Sequence, residues 1–126
     1  MHAYKTIEKL ITDHYNGTPW IEVNLLHTLQ KINAETAAKK INNFNTIWQI
    51  VHHLICWRET LIKRLHSENA PSPDNNFIEP LKDTSAKAWK AILERLQQSQ
   101  NEIIKYLHNL DKNPGEIMIP GRFTRY

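Results

Sequence analysis

The chain of 126 residues holds one cysteine, Cys56, and only three glycines. A single thiol excludes an internal disulfide framework and any cysteine-based zinc cluster within one chain, and it suits a reducing cytoplasm. No segment reaches the ~20 consecutive apolar residues that a membrane-spanning helix needs. The start, MHAYKTIEKL, lacks the continuous apolar core of a signal peptide. The expectation is a cytoplasmic protein with no membrane partner. Positive charge is not concentrated either. Sixteen Lys and Arg stand against thirteen Asp and Glu, for a net charge of +3, and the two signs are interleaved. That leaves no clustered basic face for a nucleic acid. β-branched alternation is also scarce, whereas apolar residues recur at three- and four-residue spacing over long stretches. The pattern predicts an all-α protein in one domain, residues 1–126, large enough to bury a core without staples. No internal repeat is present.

What the chain does have is helical periodicity. Tyr4, Ile7, Leu10 and Ile11 place an apolar stripe on an opening helix that ends near NGTPW, where Gly17 and Pro19 discourage continuation. A second helical segment resumes near Trp20 and carries Val23, Leu26, Leu29 and Ala34 to Ala38, up to about Lys40. INNFN interrupts it. Asn45 or Thr46 then caps a helix from about Thr46 to His66, because a short polar side chain accepts from the free amides of the first turn. SENAPSPDNNFIEPLKD, with three prolines, reads as an irregular connection. Thr84 or Ser85 caps a last helix with the stripe Trp89, Ile92, Leu93, Leu96, Ile103, Leu107 and Leu110, and EIMIPGRFTRY reads as an extended tail. Amphipathic helices of this kind close as an up-down four-helix bundle, and here the fourth member is missing.

The helix NTIWQIVHHLICWRETLIKRL carries two adjacent histidines, two tryptophans and the cysteine. On a wheel of about 100° per residue, the apolar arc centres on Ile47, Val51, Leu54, Leu61, Ile62 and Leu65. His52 falls outside the edge marked by Trp48, and His53 outside the edge marked by Trp57. Neighbours diverge by about 100°, so at most one of the two imidazoles serves a given metal ion. Neither H-x-x-x-H nor H-E-x-x-H occurs, the spacings that put two ligands on one helical face. Two readings of His53 stand side by side: a metal ligand, or a boundary histidine whose ring packs on Trp57. His52 reads as a solvated surface residue. Arg58 lies near the middle of the apolar arc, which calls either for a carboxylate from another helix, Glu22 or Glu35, or for an escape of the guanidinium to water. Cys56 points away from the arc with no base local in sequence, a setting for a non-catalytic thiol. Trp20, Trp48 and Trp89 read as core or rim fillers, and Trp57, one turn after His53, either does the same or walls a ligand cavity.

These segments resemble the DinB-like superfamily of bacterial helical proteins. The most specific part is I-W-x-x-V-x-H-L-x-x-W-R, carried by Ile47, Trp48, Val51, His53, Leu54, Trp57 and Arg58, and the S-x-x-A-W opening from Ser85 to Trp89 supports it in register. The resemblance implies a four-helix bundle, often a homodimer, with a divalent metal (zinc, nickel, iron or manganese) held by three histidines. One ligand sits at the position of His53, and two sit on an H-x-x-x-H pair of the fourth helix, which this sequence does not contain, so the expectation is weak or absent metal binding by this chain. His52 matches a variable position. Some relatives are thiol-dependent S-transferases, so the resemblance also implies a low-molecular-weight thiol and a small electrophile as reactants. His53 would be the metal ligand, while Trp57, Trp20 and Arg58 would line the cofactor or substrate cavity. The alternative is a non-catalytic helical module that covers an open apolar face by self-association or with a partner helix.

Overall fold

A computed structural model describes residues 3–15 and 24–112. They form five helices: α1 (Ala3–Tyr15), α2 (Leu25–Gln30), α3 (Ala34–Ala38), α4 (Ile47–Leu65) and α5 (Ala86–Lys112). No strand occurs among the described residues, and the all-α bundle expected from the periodicity is what the structure shows. The expected tail over residues 116–126 lies outside the described residues. None of the described helices is long and apolar enough to cross a membrane.

The helix starts follow from local chemistry. Thr46, rather than Asn45, caps α4 in a reciprocal capping box: Gln49 N–H donates to Thr46 Oγ1 at 3.0 Å, and Thr46 N–H donates to Gln49 Oε1 at 2.9 Å. Ser85, rather than Thr84, starts α5, its Oγ accepting from Ala88 N–H at 3.1 Å. The segment expected as one helix up to Lys40 is split in two. Asn24 caps α2 by accepting from His27 N–H, and Asn33 caps α3 by accepting from Thr36 N–H at 2.8 Å. Helix α2 ends at its C-cap Lys31, and Asn33 holds an extended conformation, φ −88° and ψ 171°, from which α3 begins. The Ile32 carbonyl freed at this break accepts from Trp89 Nε1–H of α5 at 3.1 Å.

Contacts along the long helices set their directions. Trp48 meets Trp89, Glu59 meets Arg95, and the Leu65 carbonyl accepts from the Tyr106 hydroxyl. The numbers rise together, so α4 and α5 run parallel. Tyr15 meets Gln97 and Glu8 meets His108, so α1 runs antiparallel to α5. Within the all-α bundle, therefore, the step from α4 to α5 is a parallel crossover rather than an up-down turn. Residues 66–85 make that crossover by returning along α4, as the succession Arg64 to Ala70, Trp57 to Asn76, His52 to Phe77 and Gln49 to Glu79 shows.

The main core gathers Tyr15, Leu29, Ala34, Ala37, Trp48, Val51, Ile55, Trp89 and Leu96. Trp48 and Trp89 pack with ring centroids 5.1 Å apart, within the range where tilted aromatic pairs add to area burial. Ala34 and Ala37 let the short α3 approach closely. A second cluster, Ile103, Leu107 and Leu110 with Ile11, Ile62 and Leu65, closes the far end. Two faces differ from the periodicity reading. On α1, Ile7 and Leu10 are exposed, while Ile11 and Tyr15 face α5. On α4, Ile55 is fully buried and Leu61 is 44% exposed, so the buried arc is turned toward Trp48.

Candidate functional site on the flanks of helix 4

The one-turn spacing of His53 and Trp57 brings their rings together, centroids 6.4 Å apart and edge-on. The return segment covers this flank. Asn76 O accepts from His53 Nδ1–H at 2.6 Å, and Asn76 Oδ1 accepts from Trp57 Nε1–H at 2.8 Å. Phe77 stands edge-on to Trp57, and the Arg64 guanidinium lies 5.8 Å from the Trp57 ring centre. Asn76 and Phe77 achieve this with consecutive positive φ values, 56° and 61°. Asparagine tolerates that region; for phenylalanine it is a strained conformation held by its packing on Trp57. A carbonyl only accepts, so the neutral His53 ring carries its proton on Nδ1 and its lone pair on Nε2.

His52 faces the other way, and here the structure corrects the sequence reading. His52 is half-buried, with Nδ1 at 3.3 Å from Phe77 O and Nε2 at 3.5 Å from Cys56 Sγ. Cys56 is buried, not turned to solvent, and it has a base one turn away on its own helix. Arg95 of α5 completes the cluster: its Nη2 lies 3.7 Å from Cys56 Sγ, and its Nε donates to Glu59 at 2.8 Å in a two-point ion pair. Burial pushes the Cys56 thiol up, the Arg95 charge pulls it down, and Glu59 and Glu79 add to the rise. The thiol thus stays protonated and donates to His52 Nε2, whose Nδ1–H is aimed at Phe77 O. The spacing His52-x-x-x-Cys56 was the available signal; the missing part was Arg95, 39 residues further on.

Arg58 belongs to neither flank. Its Nη1 donates to Gln100 Oε1 at 2.8 Å, and its guanidinium lies over the Tyr15 ring, 5.6 Å from the centroid. No carboxylate pairs with it among the described residues; Glu35 is exposed on α3, and Glu22 lies outside them. Burial lowers the Arg58 pKa, and it raises that of Tyr15 against the pull of the Arg58 charge. Of the residues expected to share a cavity, His53 and Trp57 are together, Arg58 is apart, and Trp20 lies outside the described residues.

A concavity of about 660 Å³ is an open trough between the N-terminal halves of α4 and α5, lined also by residues 79–83. His52 and Arg95 line it, and His53 does not.

A parallel α4–α5 pair linked by a return segment, with an antiparallel α1 and the H-L-x-x-W-R run on α4, defines a small helical-bundle class. The DinB superfamily model matches residues 20–124, and the chain belongs to the DinB superfamily. No curated protein and no solved structure matches it.

A divalent ion, which the resemblance implies, needs several ligands brought to one place. Among the described residues, no group of three or more His, Cys, Asp and Glu side chains is placed to hold a metal ion. His53 is a lone candidate there, and one imidazole falls short of the three protein ligands of a catalytic zinc site. The described residues therefore do not fit a resident metal.

Proposed function

We propose that this DinB-superfamily chain belongs to metal-dependent small-molecule chemistry, thiol S-transfer to a small electrophile, in which His53 supplies one ligand and the others come from outside the described residues. The observation that supports this is the hydrogen bond from His53 Nδ1–H to Asn76 O at 2.6 Å. Metal-binding histidines are held by such a bond on the second nitrogen, which fixes the tautomer and leaves the other lone pair for the ion. The test is zinc, nickel, iron and manganese content, with zinc titration, of the protein and of His53→Ala. The expected outcome is weak metal binding in the parent that the His53→Ala variant loses. Equal, near-zero occupancy in both overturns the reading for this chain.

A second reading is a helical interaction module, and a specific feature favours it. Ile50 and Leu61, 53% and 44% exposed, lie on one side of α4, and Ile7 and Leu10 are exposed on α1. Sedimentation across a concentration series tests it. Self-association that Leu61→Lys weakens supports the module, and a strict monomer removes the self-association form of it.

A further inference from the structure

We infer that the α4–α5 trough is a second binding site, separate from His53, for a planar uncharged molecule that carries an acceptor oxygen. Its volume of about 660 Å³ lies within the range of small-molecule pockets, ~300–1,000 Å³. Trp48, Leu81, Ala88, Ala91 and Ile92 supply the apolar walls. Trp48 is anchored from behind by Trp89 and the core, so this wall is preformed. Trp48 among these walls gives a planar ring an aromatic surface to stack on.

The polar groups point to a neutral occupant. Lys82, Lys87 and Arg95 line the trough with Glu79 and Asp83, and Arg95 is neutralised in turn by Glu59. Three positive charges stand against three negative ones, so the trough carries no net charge. A charged guest would meet charges of both signs and gain no net counter-charge for the hydration it gives up. Lys82 and Lys87 are exposed at the rim, and the half-buried Arg95 keeps a donor for an uncharged oxygen. Arg95 commits Nε and Nη2 to Glu59 and Cys56, and its Nη1 has no partner among the described residues. A carbonyl oxygen of an amide, ketone or ester, held at the Arg95 end while the rings lie on Trp48, meets both requirements.

The trough opens on the flank of α4 away from His53, so this inference does not depend on the metal reading. The experiment uses 2-naphthamide as the neutral probe, with 2-naphthoate and 2-naphthylmethylammonium as charged analogues of the same shape. Binding is followed by the indole N–H resonance of Trp48 in the full chain, assigned with Trp48→Phe. Saturable shifts with 2-naphthamide are expected, with affinities for both charged analogues lower by about tenfold or more. Ala91→Phe, a change at an exposed lining position that leaves the core intact, should weaken binding of the neutral probe by at least about tenfold. His53→Ala, and removal of metal with a chelator, should leave it unchanged. Absence of saturable shifts, equal binding of the charged analogues, indifference to Ala91→Phe in a folded variant, or loss of binding in His53→Ala would each overturn the inference.

Discussion

Replacing Arg58 by leucine isolates the most unusual electrostatic arrangement of the fold, a half-buried guanidinium held by an amide oxygen and an aromatic face. Gln100 is only 3% exposed, and its Oε1 takes the Arg58 N–H at 2.8 Å. Leaving a buried acceptor unpaired costs ~1–3 kcal/mol. Loss of the contact with the Tyr15 ring adds ~0.5–2 kcal/mol. Against these stands the relief of desolving a cation, and leucine keeps part of the packing made by the arginine stem. The net expectation is a destabilisation of about 1–3 kcal/mol. With a urea slope of ~1–3 kcal/mol/M for a small protein, the unfolding midpoint falls by on the order of 1 M. The sharper measurement is a cycle with Gln100→Leu. If the hydrogen bond carries the effect, Arg58→Leu/Gln100→Leu costs less than the sum of the single changes by about 1 kcal/mol or more. Additivity within ~0.5 kcal/mol would refute the argument and leave Arg58 as a packing residue.

Two further outcomes follow from the turned face of α4 and from its buried thiol. Ile55→Ala, at a fully buried position, should lose about 2–5 kcal/mol, whereas Leu61→Ala, 44% exposed, should stay within about 0.5 kcal/mol in the same urea titration; a reversed order would restore the arc centred on Leu61. Cys56 should alkylate with a pH midpoint above that of the same thiol in urea, because burial raises it in the folded chain. Its raised folded value contributes stability fully present below the unfolded value, ~8.5, and lost as pH rises through the folded one; a folded midpoint at or below the unfolded one contradicts the burial argument.

Much of this fold could be read locally, and what could not be read depends on partners distant in sequence. Thr46 and Ser85 act within one helical turn, so the starts of α4 and α5 were visible to within a residue. The break at Asn33 was missed because asparagine competes there with an alanine-rich stretch that favours helix on its own. The buried arc of α4 was misplaced because counting apolar residues gives Leu61 and Ile55 equal weight. The aromatic pair with Trp89, 41 residues beyond Trp48, turns the helix instead. At the site, the motif picked out His53, and the structure added Asn76 as its partner. It also reversed the reading of His52 and Cys56, whose shared environment exists only once Arg95 of α5 and the return segment arrive.

The return segment carries one more implication. Arg64, His53, His52 and Gln49 all contact its main-chain carbonyls, those of Ala70, Asn76, Phe77 and Glu79. Helix α4 therefore recognises the course of this segment more than its lettering. Asn76, which also lends a side-chain oxygen to Trp57, Ser72, whose hydroxyl accepts from Arg64, and Phe77, whose ring stands edge-on to Trp57, are the exceptions. A substitution in the segment that keeps its path should therefore cost less than one at Gln49, His52, His53 or Arg64.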